Sequence, residues 1–146
     1  MMRIFSVAAA LAVGVTVFTA VHAQTDHVKQ RQQAMKAMAG AAKEPGAVIK
    51  GEAKFDLDKI HQSLAVYQEK ASDLKDLWPK GSNNGETAAL PAIWEKQDEF
   101  LARFDKLATD AKSAASSIKD EASFKAEWPK VMSNCGGCHK EYRKPN

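Results

Sequence analysis

The chain closes on SNCGGCHKEYRKPN (Ser133–Asn146), where its only two cysteines, Cys135 and Cys138, stand three residues apart with His139 directly behind them. Residues three apart share one face of a helical turn, so the two thiols would point the same way, with the imidazole one residue on. Two isolated cysteines make no disulfide framework. Their purpose depends on the architecture that carries them.

Upstream, apolar residues recur at helical spacing through four segments separated by breakers, which predicts an all-α chain. The first predicted helix runs from about Asp26, capped by Thr25 or Asp26, to Ala42, with Val28, Arg31, Met35 and Met38 on one face. The stretch KEPGAVIKGEAKF (residues 43–55) carries Pro45, Gly46 and Gly51 and reads as a connection. The second helix starts with Asp56 as N-cap and lines up Ile60, Leu64, Tyr67, Ala71 and Leu74. The stretch LWPKGSNNGETAALP (residues 77–91) is a loop, and Pro91 suits the first position of a third helix. That helix turns Ile93 or Trp94, Phe100, Phe104 and Leu107 inward and fades in KSAASSIK (residues 112–119). The fourth starts near Asp120, passes Phe124, Trp128 and Val131, and ends at Tyr142 or Arg143. Pro129 lies inside it, where proline costs about 3 kcal/mol, so either a bend there or a start at Pro129 is expected. Four helices of this length with one long loop fit an antiparallel four-helix bundle.

The other end of the chain reads as an export leader: Arg3 as the charged start, an apolar run from Ile4 to about Ala20, and Val21-His22-Ala23 as a small-residue cleavage site. The run is at the short end of the range that spans a bilayer, so removal after Ala23 is expected rather than anchoring. Residues 24–146 then form one bundle domain, released into an oxidising compartment, the bacterial periplasm, with no membrane attachment left. Without Arg3 the chain has 20 basic and 18 acidic side chains, interspersed, and shows neither a nucleic-acid footprint nor a polybasic membrane patch.

CxxCH is the attachment signature of a c-type haem. Two thiols at this spacing meet the two vinyl groups on one porphyrin edge, the adjacent imidazole lies beneath the iron, and Gly136 and Gly137 leave room for the macrocycle to approach the backbone. A thioredoxin-like CxxC dithiol oxidoreductase would need a strand–helix setting that the chain does not offer. A zinc site would need a fourth ligand, and the other histidines of the exported chain, His27 and His61, read as solvated residues on separate helices.

CxxCHxxYR near the C-terminus, RQQAM (residues 31–35) near the start of the exported chain and PAIW (residues 91–94) in the middle resemble the class II cytochromes c, the cytochrome c′ family. The resemblance covers essentially the whole exported chain. It implies a four-helix bundle with one covalently bound haem c, Cys135 and Cys138 as the thioether links and His139 as proximal iron ligand. It further implies that Arg143 tunes the proximal histidine, that Arg31 and Gln32 approach the haem edge and propionates, and that Thr87 or its neighbours before Pro91 do likewise. Pro129 departs from the family pattern.

Met35 occupies the distal position that the resemblance marks. In one branch of the family a methionine there coordinates the iron; in cytochrome c′ proper the residue packs over an open iron. Met132 is seven residues from His139 on the same helix, about 10 Å along the axis, and cannot reach the opposite face. His/Met ligation raises the reduction potential and suits a one-electron carrier. The expectation is therefore an electron-transfer protein rather than an enzyme, serving redox partner proteins. The alternative is a five-coordinate iron that binds nitric oxide or carbon monoxide. A homodimer through the first two helices is common in the family.

Overall fold

The computed structural model describes residues 15–145, with side chains from His27 onward, and folds into six helices: α1 (Val15–Ala41), α2 (Lys43–Ile49), α3 (Leu57–Lys75), α4 (Ala92–Glu95), α5 (Gln97–Ser117) and α6 (Glu121–Tyr142). Four long ones, α1, α3, α5 and α6, make the bundle. The leader, residues 1–23, lies outside the described residues except for the backbone of 15–23. No helix among the described residues is long and apolar enough to cross a membrane.

α3 and α5 form the most extensive interface, with α1 packed on α3 and α6 on α5. The spacing explains it. Ile60, Leu64, Tyr67, Ala71 and Leu74 recur every three or four residues on α3, and each is buried to within 1 % of complete. Phe100, Phe104, Leu107, Ala111 and Ala114 make the matching stripe on α5. Phe124, Trp128 and Val131 bring α6 onto this core, Phe124 and Trp128 lying 5.8 Å apart and Trp128 meeting Tyr67 edge-on at 5.8 Å. By contrast α1 and α6 share almost no direct contact. The bundle is left open along that seam.

The helix starts follow from caps. Asp56 accepts from the Lys59 N–H at 3.2 Å at the head of α3. Asp120 and Ser123 form a reciprocal capping box on α6: the Ser123 N–H donates to Asp120 Oδ1 at 2.8 Å, and the Asp120 N–H donates to Ser123 Oγ at 3.1 Å.

The structure departs from the sequence pattern at several points. The α1 backbone passes straight through Thr25 and Asp26, because residues 15–39 contain neither glycine nor proline to stop it. The connection at 43–55 contains α2, in which Pro45 sits in the first turn, where its missing N–H is no loss, and buries with Val48. Pro91 precedes only the single turn of α4, and the chain breaks at Lys96 before α5. Hydrogen bonds from Trp94 Nε1 to the Pro79 carbonyl and from Gln97 Nε2 to the Trp78 carbonyl pin this turn to the preceding loop. α5 continues through Lys112–Ser117 instead of fading, since Ala111 and Ala114 are buried. α6 runs unbroken past Pro129, which is exposed while its neighbours Trp128 and Val131 anchor the helix on the inner side. His27 and His61 are half-buried rather than solvated, and His27 Nδ1 and His61 Nε2 are enclosed without a hydrogen-bond partner.

Because Leu64 is fully enclosed between helices, Leu64→Ala should destabilise the protein by about 2–5 kcal/mol, read from the shift of the urea unfolding midpoint at unchanged slope.

Candidate functional site

The open seam between α1 and α6 holds a cavity of about 710 Å³, which lies within the range of cofactor sites. α6 contributes Cys135, Cys138, His139 and Tyr142, a set spaced by three, one and three residues that repeats on one helical face. α1 contributes Arg31, Gln32, Met35 and Met38 from the opposite side, and the loop before α4 adds Thr87. Tyr67 of α3 and Phe100, Phe104 and Leu107 of α5 line it between these walls. Every site residue singled out by the sequence, including Arg143, borders this one cavity.

Both cysteines are half-buried free thiols, and burial pushes their pKa values up, so they stay protonated at neutral pH. An oxidoreductase dithiol needs the reverse, a lowered pKa at the start of a helix that follows a strand. Cys135 and Cys138 instead sit in the last third of a helix, and the only strand-like pairing among the described residues is the Ala89–Arg143 bridge. Nor do three His, Cys, Asp or Glu side chains converge on a common point among the described residues, so the zinc reading finds no ligand set. Burial, aided by the Arg143 charge, lowers the pKa of His139 and favours its neutral imidazole.

Gly136 and Gly137 are exposed within α6, and a Cβ on either would meet no protein atom. Protein packing alone therefore does not require glycine at either place.

Arg31 is the buried cation of the wall. It is 4 % exposed, its Nη2 donates to the Ser82 carbonyl at 2.6 Å, its Nε donates to the His27 carbonyl at 3.2 Å, and its guanidinium lies 4.3 Å from the Trp78 ring centre. Burial holds its pKa below the ordinary arginine value. Nη1 has no partner, and neither does Trp78 Nε1; both are buried donors on residues that border the cavity. A cationic group and an indole N–H left unpaired at an apolar wall fit an acceptor, best a carboxylate, arriving with a bound group.

The loop over the cavity is laced down on both sides. Gln32 Nε2 donates to the Glu86 carbonyl at 3.0 Å from α1. From the end of α6, the Leu90 N–H donates to the Tyr142 carbonyl at 3.0 Å and the Lys144 N–H to the Ala88 carbonyl at 2.8 Å. Asn134, the residue before Cys135, donates to Asp110 Oδ2 at 2.7 Å and fixes α6 against α5.

Sequence reasoning missed this lacing, as well as Tyr67, Arg103 and Lys36 at the cavity. The lacing is made largely by backbone groups, which carry no residue signal, and the three side chains look like ordinary helix residues until the bundle is assembled.

Comparisons with known proteins agree with this geometry. A family model described as Cytochrome C′ matches residues 26–143. Cytochrome c′ of Rhodopseudomonas palustris is 45 % identical over 122 residues, 83 % of this chain and 84 % of that protein. Its solved structure superposes with a TM-score of 0.81 at 43 % identity, covering 83 % of this chain and 98 % of that one. Cytochrome c-556 of Agrobacterium fabrum is 33 % identical over 143 residues, 97 % of both chains. A nitric oxide complex of a mutant cytochrome c prime from Alcaligenes xylosoxidans superposes with a TM-score of 0.74 at 25 % identity, covering 84 % of this chain and 97 % of that one.

The Asp110–Asn134 link yields a pH prediction. Lys106 first and Asn134 second hold the Asp110 carboxyl below its ordinary pKa, so the stability it adds is present above about pH 4 and is lost as pH falls through its folded value. Asn134→Ala should raise the Asp110 pKa towards that of an unperturbed carboxyl, as read by carboxyl-carbon NMR titration.

Proposed function

The chain belongs to the cytochrome c′ family, class II cytochromes whose members bind haem c covalently, and on that premise we propose that it is a periplasmic one-electron carrier. The observation that carries this reading is that Cys135, Cys138 and His139 from α6 and Met35 from α1 all border the same largely apolar cavity.

In this proposal Cys135 and Cys138 provide the thiols for the two thioether links and His139 the proximal nitrogen. Met35 offers its thioether sulfur from the other helix, and Met38, at 8 % exposure, packs in the core. Arg31 Nη1 and Trp78 Nε1 serve as donors for the propionate carboxylates, with Gln32 and Thr87 holding the loop beside them. Arg143 acts on His139 through its charge. The phenylalanines of α5 and Tyr67 exclude water. The haem, when bound, supplies a one-electron couple that the protein surroundings tune. The leader is cut after Ala23, so that the exported chain begins inside α1, at Gln24. No substrate chemistry is assigned to the protein, and its partners are other redox proteins.

A second reading has its own support: the identity to a cytochrome c′, at 45 %, exceeds the 33 % to a cytochrome c-556. In that reading Met35 only packs, and an open iron position accepts nitric oxide or carbon monoxide.

Absorption spectra of the purified protein separate the two. The carrier reading expects sharp low-spin bands, with a weak near-infrared sulfur-to-iron band in the oxidised form that disappears in Met35→Leu as the spectrum turns high-spin. A high-spin spectrum in the unmutated protein, unchanged by Met35→Leu, establishes the gas-binding reading instead.

A further inference from the structure

The loop over the cavity contains a dipeptide that neither the core nor the site uses. Residues 82–86 read Ser-Asn-Asn-Gly-Glu, and of the asparagines in the chain, Asn83, Asn84, Asn134 and Asn146, only Asn84 precedes a glycine. Asn84 and Gly85 are both exposed, between the turn at residues 80–83 and the bridge at Ala89. Gly85 has a φ of +95°, in the left-handed region that favours glycine, and a Cβ built on it would meet nothing within 4 Å. Backbone conformation, rather than lack of space, reserves the position for glycine.

An asparagine side chain reaches its own neighbouring backbone groups, and a following glycine leaves the next nitrogen unshielded because it carries no Cβ. We infer that Asn84 is a site of spontaneous deamidation, which converts the protein into aspartyl and isoaspartyl forms with one more negative charge on the loop over the cavity. The Gly85 amide gives its proton to hydroxide, and its nitrogen bonds to Asn84 Cγ. The Cγ–Nδ2 bond breaks, and the side-chain nitrogen leaves as ammonia after taking a proton from water. Water then opens the resulting succinimide ring. Attack on the side-chain carbonyl restores the normal backbone with aspartate, whereas attack on the main-chain carbonyl routes the backbone through Cβ and Cγ as isoaspartate.

The place of Asn84 gives the change a structural consequence. Two residues before it the Ser82 carbonyl accepts from Arg31 Nη2 at 2.6 Å, and two residues after it the Glu86 carbonyl accepts from Gln32 Nε2 at 3.0 Å. Isoaspartate adds one main-chain atom between these two anchors, so the loop loosens from α1 and from the end of α6. Asn134 is the internal comparison. Its side chain donates to Asp110 Oδ2 at 2.7 Å and to the Val131 carbonyl at 3.1 Å within α6, and the residue that follows is Cys135, whose Cβ stands beside the nitrogen.

The test incubates the purified holoprotein in mildly alkaline buffer made with heavy-oxygen water and maps its peptides by mass spectrometry, with isoaspartate identified by enzymatic methyl transfer. Label should enter the peptide that spans Asn84, as both isoaspartate and aspartate, faster as pH rises, while Asn134 stays unlabelled. Asn84→Gln, whose longer side chain disfavours ring closure, should abolish the labelling and the more acidic band on isoelectric focusing. Asn84→Asp carries the added charge on a normal backbone. Amide hydrogen exchange at Leu90 and Lys144, the donors that lace the loop to the end of α6, should therefore quicken in the isoaspartyl form and keep the parent's rate in Asn84→Asp. An unlabelled Asn84, or equal labelling of Asn84 and Asn134, overturns the site. Exchange at Leu90 and Lys144 that is the same in the isoaspartyl form and the parent overturns the loosening of the loop.

Discussion

The structure depends on one constraint: α1 and α6 are held apart. α3 and α5 bury their apolar stripes against each other and form a rigid central pair, and the outer helices dock on opposite members of that pair. What would close the bundle is a direct α1–α6 interface, and in its place stands a cavity of about 710 Å³. A cavity of this size with mostly apolar walls suits a bulky apolar group, whose surface gives those walls their dispersion partners. The thiols, the imidazole, the thioether sulfur and the unpaired donors on Arg31 and Trp78 all belong to the two sides of that gap and the loop that covers it.

Much of this was legible in the sequence because the relevant signals are local. The buried stripes of α3 and α5 follow a period close to 3.6, and the caps at Asp56 and Asp120 are written as short polar side chains immediately before α3 and α6. CxxCH points to Cys135, Cys138 and His139 by spacing alone, the resemblance to the family adds Arg31, Gln32, Met35, Thr87 and Arg143, and all eight border the one cavity. What was not legible depends on tertiary context. α2 forms although Pro-Gly punctuates it, since Pro45 falls in a first turn and Val48 finds a buried place. α4 is cut from α5 by hydrogen bonds to a loop more than a dozen residues upstream. Pro129 looked disruptive because propensity counts the lost hydrogen bond and not the packing of Trp128 and Val131, which keeps the helix in line.

Charge taught the same lesson on a larger scale. Summed along the chain, lysines and carboxylates nearly cancel and point to no partner. Once the chain folds, no carboxylate lines the α1–α6 cavity, and the charged side chains that border it, Arg31, Lys36, Arg103 and Arg143, are all cationic. Net charge is a property of composition, whereas the charge around a site is a property of topology. The sequence puts Arg31 on the same helix face as Val28, Met35 and Met38, and the structure makes it a stacked, buried cation with one donor in reserve.

The central claim is that the seam is built for one covalently attached group held by α6. Peptide mass mapping of the protein purified from its native compartment tests it directly. The account predicts one haem mass added to the peptide that contains both Cys135 and Cys138, surviving acid extraction, on a chain that begins at Gln24. Recovery of that peptide unmodified, or with the two thiols joined as a disulfide, would contradict it.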